Sequence, residues 1–139
     1  PAERRERHYM RRISPKDTKT ERGPGEWFTG EVWMDPSPPR TPEAGVFRVL
    51  FAPGARTNWH THPEGQVLYV VSGRGLAQAE GGPVVEMGPG DVVTFAPGEK
   101  HWHGAAPDSC MLHVAINPAA STDGGTEWLE PVGDEEYPG

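Results

Sequence analysis

The chain has 139 residues and a mass of 15.2 kDa, which is enough for one compact domain of ordinary size. Hydrophobic residues make up 35% and charged residues 24% of the chain, yet its apolar runs, such as residues 67–71, are far shorter than the roughly 20 residues of a membrane span. The net charge of −7 is uneven, because residues 1–22 carry eight Lys and Arg against four Asp and Glu, which is +4 and leaves −11 for the rest.

The first 22 residues form a basic N-terminal arm. Its arginines are interleaved with Glu3 and Glu6, and no recognised nucleic-acid-binding motif follows them. We therefore interpret the arm as solvated or packed against a partner, and we expect neither nucleic acid nor a membrane as a partner. The start of the chain also lacks the apolar stretch of a secretory signal, so we expect a cytoplasmic protein.

Glycine and proline punctuate the rest of the chain. The 18 Gly and 16 Pro stand mostly between short segments rich in Val, Phe, Tyr and Trp, which is typical of strands joined by turns in a barrel or sandwich. No sustained helical period is present, so the predicted class is all-β. The predicted strands are 46–51, 58–62, 66–72, 76–80, 84–87, 92–95, 101–104 and 111–117.

These elements predict a barrel over residues 23–118, interrupted by a proline-rich surface loop at 35–45. The acidic tail at 119–139 is expected to pack on the barrel and to be held there by Trp128. The single cysteine, Cys110, begins an apolar alternation and is expected to be buried, without a catalytic role.

Five of the six histidines fall between residues 60 and 113, and four of them form the His-x-His pairs His60/His62 and His101/His103. Residues two apart in a strand point to the same side, so each pair can converge on one point inside the barrel. Gln66 follows His62 after a short turn, at the start of a returning strand. We expect His60, His62, Gln66 and His101 to form a four-ligand set for a divalent metal, since imidazole binds Zn, Mn, Fe, Ni and Cu.

The same alternation turns the intervening residues away from the metal. Trp59 and Trp102 are therefore expected to be packing residues. The alternation also turns Thr57 outward.

At these residues the sequence resembles the cupins. Gly54, His60, His62 and Gly73 fit the first cupin motif, with Gln66 in place of the usual Glu. The second motif is looser, since Gly90, Asp91, Pro97, Gly98 and His101 are recognisable with one residue fewer between Pro and His. That departure leaves His101 and His103 competing for the fourth ligand position. The resemblance spans residues 46–116 and implies a double-stranded β-helix, or jelly-roll barrel.

Within the cupins, residues 54–63 and 98–107 resemble a narrower group, the manganese-dependent hydroxynitrile lyases of bacteria. Trp27-Phe28-Thr29-Gly30 is similar to the same group. The resemblance implies Mn²⁺ as the cofactor, held by His60, His62, Gln66 and His101, with Fe²⁺, Zn²⁺ or Ni²⁺ as alternatives. It also implies that His103 and His113 line the pocket as acid/base groups, with Thr57 as a further candidate.

A neutral Gln ligand leaves the cation its full double charge, which favours Lewis-acid chemistry over oxygen activation. The first hypothesis is therefore a lyase that cleaves or forms a cyanohydrin. The second is a metal-dependent dioxygenase acting on a flavonol or diketone, and the third is a non-catalytic cupin that binds a small molecule. The fold hosts all three, so fold alone does not choose among them.

We expect a small-molecule substrate and a homodimer or homotetramer. Trp27, Phe28, Val32 and Trp33 suit an edge strand that docks on or exchanges with another copy. The alternative is that this segment covers its own barrel.

Overall fold

The computed structural model describes residues 10, 12–35, 44–118 and 125–138. Apart from one 3-10 turn at Pro15–Asp17, the regular structure of these residues is all β, as predicted. The strands are β1 (Glu21–Arg22), β2 (Phe28–Thr29), β3 (Val32–Met34), β4 (Ala44–Phe51), β5 (Arg56–Thr57), β6 (His60–Thr61), β7 (Gln66–Gly73), β8 (Gly75–Ala79), β9 (Val85–Met87), β10 (Val92–Phe95), β11 (His101–Ala105), β12 (Met111–Pro118) and β13 (Glu127–Trp128).

The first sheet has the order β1-β3-β4-β12-β7-β10, and every pair in it is antiparallel. Its central strand β12 alternates strictly between buried and less buried positions, as a half-buried sheet requires, and β4 and β7 do so over part of their length. Along β12, for example, Met111, His113 and Ala115 point into the core. The prediction of a period-two pattern in this region is confirmed.

The second sheet has the order β13-β6-β11-β5-β2, with β8 pairing β11 on one side and β9 on the other. Its central strand β11 is buried at every position, because the first sheet lies on one face and the C-terminal segment on the other. The register places His101 directly opposite His60. Two histidines far apart in sequence are thereby neighbours on adjacent strands.

The predicted strand at 58–62 is interrupted. Asn58 and Trp59 separate β5 from β6, and both are bonded to other segments: the Asn58 side chain donates to the carbonyls of Glu26 (2.8 Å) and Leu129 (3.1 Å), and the Trp59 amide to that of Glu130 (2.9 Å). Because of this break, the side chains of β5 and β6 do not follow one continuous alternation. Thr57 consequently lines the interior instead of facing outward, and the expectation that it points away from the site is wrong.

Residues 125–138 cover the outer face of the second sheet. Val132 and Tyr137 form a second buried cluster with Trp59, Leu76 and Trp102, so both tryptophans are packing residues as the alternation predicted. The Tyr137 hydroxyl donates to the Ala105 carbonyl at 2.6 Å. Arg56 Nη2 donates to the Val132 carbonyl at 2.8 Å, and its guanidinium lies 4.3 Å from the centre of the Tyr137 ring, so Arg56 also holds the segment in place.

Cys110 is exposed, so the expectation of a buried thiol is wrong. It stands in the turn before β12, and the buried positions begin only at Met111. The segment proposed as an exchanged edge strand instead covers its own barrel here, because β3 pairs β4 of the same chain and Val32 is fully buried. The homodimer or homotetramer stays a prediction. No helix among the described residues is long and apolar enough to cross a membrane.

Candidate metal centre and active site

A cavity of about 310 Å³ lies between the two sheets. Most of its accessible wall is apolar and aromatic, whereas its histidines and Gln66 lie close together and form a polar side. The polar lining consists of Asp35, Thr57, His60, His62, Gln66, His103, His113, Asn117 and Thr126. The apolar lining consists of Trp27, Phe28, Met34, Phe47, Val49, Phe51, Ala115 and Trp128.

Three of the four predicted ligands, His60, His62 and Gln66, line the cavity, and His101 lies beside them without lining it. The ring centroids of His60 and His101 are 4.3 Å apart, and His62 lies 5.0 Å from His60 and 5.6 Å from His101. His62 follows the end of β6, and the turn after it requires a positive φ at Gly65, where a side chain would collide with the Phe95 carbonyl. That turn returns the chain into β7, whose first residue is Gln66.

Three described histidines form a compact triplet in which the candidate ligand atoms all lie within 4.8 Å of one another: His60, His101 and His103. This triplet can hold a metal ion. It contains two of the predicted ligands and includes His103, predicted as an acid/base group, but not His62. His101 and His103 therefore both belong to the candidate metal centre, and both remain candidate ligands.

The outer nitrogens of two histidines are fixed by backbone carbonyls. His60 Nδ1 donates to the Asn58 carbonyl and His101 Nδ1 to the Glu99 carbonyl, each at 2.8 Å. A carbonyl only accepts, so in the neutral rings the proton sits on Nδ1 and the lone pair on Nε2. Histidines that bind metals in proteins commonly have such an outer partner.

Gln66 and His62 are held by side chains instead. Gln66 Nε2 donates to Asn117 Oδ1 at 2.9 Å, which leaves Oε1 as the inner atom of the carboxamide. His62 Nδ1 lies 3.0 Å from the hydroxyl oxygen of Thr126. Each of these groups thus has one atom anchored and another turned inward.

The inward atoms have no hydrogen-bond partner. Among the described side chains, the buried and unpartnered atoms include His62 Nε2, Gln66 Oε1, His101 Nε2 and His103 Nε2. Leaving such groups unsatisfied costs about 1–3 kcal/mol each. A divalent cation would satisfy several of them at once, and imidazole nitrogen and carboxamide oxygen are suitable ligands for it. The residues therefore fit a metal ion.

His103 and His113 form a hydrogen-bonded pair deeper in the cavity. His103 Nδ1 and His113 Nε2 are 3.2 Å apart, and the Thr57 hydroxyl accepts the backbone N–H of His103 at 3.2 Å. Phe51 packs against both rings, with centroid distances of 6.0 Å to His103 and 5.3 Å to His113. All three predicted acid/base candidates therefore lie at one end of the polar side.

Burial lowers the pKa of all five of these histidines. The pKa of His62, His101 and His113 falls to about 4 in each case. For His60 and His103 the pKa lies well below the ordinary value, because burial is reinforced by the charge of neighbouring histidines. Every imidazole in the cavity is consequently neutral at pH 7 and able to bind a metal or accept a proton.

The metal-free protein is expected to lose stability as the pH falls from about 6.5 towards 4. Below about 6.5 the unfolded chain takes up protons that the folded chain does not, so at pH 5 His62, His101 and His113 each favour unfolding by about 2 kcal/mol, and His60 and His103 act in the same direction. Above 6.5 both states are neutral and the effect disappears. Urea midpoints measured on chelator-treated protein between pH 5 and pH 8 test this, and equal midpoints at pH 5 and pH 7 would contradict it.

Sequence reasoning did not predict the other lining residues of the cavity as site residues, among them Trp27, Asn117, Thr126 and Trp128. The rings of Trp27 and Trp128 stack at 5.0 Å with an interplanar angle of 6°, and Trp128 also lies 4.7 Å from His60. Asn117 occupies an inward position of β12, two residues after Ala115, which the alternation could have identified. Nothing local in the sequence marks Thr126.

Comparison with known proteins agrees with this architecture. Residues 47–116 match the family model described as a cupin domain. A protein of Granulicella tundricola named (R)-mandelonitrile lyase is 55% identical over 120 residues, which are 84% of this chain and 89% of that protein.

Two solved structures have the same fold. A cupin-like protein of Thermotoga maritima has 42% identity and a TM-score of 0.76, covering 84% of this chain and 89% of its own. The polyketide cyclase RemF of Streptomyces resistomycificus has 19% identity and a TM-score of 0.70, covering 93% and 91%. The sequence match, the shared fold and the histidines on adjacent strands lead to one conclusion: the chain belongs to the cupin family.

Proposed function

We propose that this protein is a metal-dependent hydroxynitrile lyase that converts (R)-mandelonitrile, or a closely related cyanohydrin, into an aldehyde and hydrogen cyanide. The observation that carries the proposal is the set of inward, unpartnered nitrogen and oxygen atoms at a cavity whose accessible wall is mostly apolar. The relative named (R)-mandelonitrile lyase, 55% identical across most of the chain, supports the choice of reaction.

In this proposal His60, His62, Gln66 and His101 hold the metal. All four are uncharged, so the site keeps a net charge of two and has no carboxylate to favour a trivalent ion. When bound, a divalent cation supplies Lewis-acid stabilisation of the negative charge that develops on a substrate oxygen. We propose Mn²⁺ as the bound ion. Fe²⁺, Zn²⁺ and Ni²⁺ bind such ligands as tightly or more tightly, so the supply of each metal in the cell also determines which ion is bound.

The His103 and His113 pair handles the proton. A neutral imidazole takes the proton of the cyanohydrin hydroxyl while the bond between the carbinol carbon and the nitrile carbon breaks, giving a carbonyl group and cyanide. The imidazolium then returns the proton to cyanide, so hydrogen cyanide leaves and the base is restored. The low pKa values of these rings keep them in the base form at neutral pH.

When the His103 Nδ1–H donates to His113 Nε2, the lone pair of His103 Nε2 faces the cavity. Thr57 keeps His103 in place by accepting its backbone N–H. His103 is therefore oriented as the base, and the hydrogen-bonded ring of His113 can share its proton.

The aromatic wall suits the organic part of an aryl cyanohydrin. The stacked pair Trp27 and Trp128 and the ring of Phe28, 5.8 Å from that of Trp128, offer apolar surface next to the polar side. This wall also limits water around the reacting atoms, which strengthens the electrostatic interactions there.

Protein loaded with Mn²⁺ is expected to release benzaldehyde from racemic mandelonitrile, with the (R) enantiomer consumed first. The measurement is ultraviolet detection of benzaldehyde together with chiral chromatography of the remaining cyanohydrin, and chelator-treated protein is the control. Metal-loaded protein that neither cleaves nor forms mandelonitrile would remove the proposal.

The compact triplet of His60, His101 and His103 favours a second candidate, a dioxygenase, because a site of three histidines with an open position also suits oxygen chemistry. Oxygen consumption separates the two, since the lyase reaction uses none. Oxygen uptake with a flavonol or diketone would favour the dioxygenase. Bound metal with no turnover of either substrate would favour a non-catalytic binding protein.

A further inference from the structure

Thr126 differs from the other outer partners of the metal-facing histidines. His60 and His101 donate to backbone carbonyls, which fix the Nδ1–H form of each ring. His62 instead faces a hydroxyl, at 3.0 Å from its Nδ1, and a hydroxyl both donates and accepts. The form of the His62 ring that presents a lone pair on Nε2 therefore depends on the Thr126 hydroxyl accepting rather than donating.

Thr126 reaches His62 from a segment that is remote in sequence but firmly attached. It precedes β13, which pairs β6 with Glu127 opposite Thr61 and Trp128 opposite His60. Two backbone hydrogen bonds extend this pairing, from the Leu129 amide to the Trp59 carbonyl at 2.8 Å and from the Trp59 amide to the Glu130 carbonyl at 2.9 Å. The hydroxyl is thus held against a ring whose other nitrogen is buried and unpartnered.

We infer that Thr126 is a positioning residue of the metal centre, which orients His62 and fixes the proton on its Nδ1 so that Nε2 is free to bind the metal. The C-terminal segment is then part of the site and not only a cover for the second sheet. The inference rests on the proposed ligand role of His62. Removing an outer partner of a metal ligand typically weakens metal binding about 10- to 100-fold.

The test uses Thr126→Val, which keeps the shape and deletes the hydroxyl, and Thr126→Ser, which restores it. Mn²⁺ is titrated into the chelator-treated 139-residue protein, and the free ion is measured by its electron paramagnetic resonance signal. We expect Kd for Mn²⁺ to rise about 10- to 100-fold in Thr126→Val and to return to within about threefold of the natural protein in Thr126→Ser. Thr94→Val is the matched control, because Thr94 is an exposed strand threonine away from the cavity.

A structural role alone would lower the thermal midpoint of the metal-free protein in Thr126→Val without a selective change in Kd, and that result would overturn the inference. Unchanged Kd in Thr126→Val would overturn it as well. If Thr126→Val does not fold, Thr126→Ala takes its place, with the same two outcomes.

Failure of the inference can be distinguished from failure of the proposed function. If the natural protein binds Mn²⁺ and His62→Ala does not, but Thr126→Val binds Mn²⁺ normally, only the proposed role of Thr126 is wrong. If the natural protein binds neither Mn²⁺ nor Zn²⁺, the metal site itself falls and the role of Thr126 with it.

Discussion

Replacing His101 with alanine is expected to raise Kd for Mn²⁺ about 100- to 1,000-fold and to remove turnover of mandelonitrile. His101 belongs both to the predicted ligand set and to the compact triplet, so it is a ligand in either arrangement of the metal site. Structural sites with four ligands bind Zn²⁺ with about 10–16 kcal/mol, which is about 3 kcal/mol for each ligand. Metal titration and benzaldehyde release measure the two effects.

The control for this variant addresses packing, because the His101 ring also stacks on Phe95 at 3.6 Å. His101→Gln keeps a polar side chain of similar reach and is expected to fold like the natural protein while binding the metal more weakly. Thermal midpoints of all three metal-free proteins show whether the alanine variant is folded. Retention of metal and activity in a folded His101→Ala protein would contradict the assignment.

Replacing His103 with alanine is expected to leave metal binding within a fewfold of normal and to lower kcat by about 10²- to 10⁴-fold, the usual contribution of a general base. Replacing His62 with alanine is expected to do the reverse and remove the metal. The reason is the partner of each Nδ1 atom. His103 Nδ1 forms a hydrogen bond with His113, the other proposed acid/base group, whereas His62 Nδ1 forms one with the Thr126 hydroxyl. Elemental analysis and steady-state kinetics on the two variants provide the comparison.

The two variants also decide between the ligand sets. If His103→Ala loses its metal and His62→Ala keeps it, the compact triplet is the metal site, and the acid/base role of His103 must pass to His113. Similar loss of metal in both would indicate a centre that uses all four histidines.

Much of the fold and the site could be predicted from short-range patterns. Short segments rich in Val, Phe, Tyr and Trp between turns identified four strands of the first sheet, β4, β7, β10 and β12, and period-two alternation placed Trp59 and Trp102 on the packing side. The two His-x-His pairs and Gln66 identified the histidine cluster, and all of them except His101 line the cavity, because a turn of three residues returns the chain to the same interior.

Other features depend on contacts that a single sequence does not reveal. The direct pairing of His60 with His101 is a matter of strand order and register between remote segments. Alternation failed at Thr57 because Asn58 and Trp59 interrupt the strand, where they donate hydrogen bonds to the carbonyls of Glu26, Leu129 and Glu130.

Thr126 and Trp128 were missed as site residues for the same reason. The tail was predicted to lie on the barrel, but its contacts with His62 and His60 arise from pairing across more than sixty residues of chain. Cys110 was misplaced because the apolar pattern was extended one residue too far, into the turn before β12.

The most direct test of the account is the metal content of protein purified without added metal, measured by elemental analysis together with electron paramagnetic resonance. We expect about one divalent cation for each chain, a six-line manganese signal when the bound ion is released, and loss of that ion in His101→Ala. Protein that holds no divalent metal and takes up neither Mn²⁺, Fe²⁺, Zn²⁺ nor Ni²⁺ when these are supplied would contradict it.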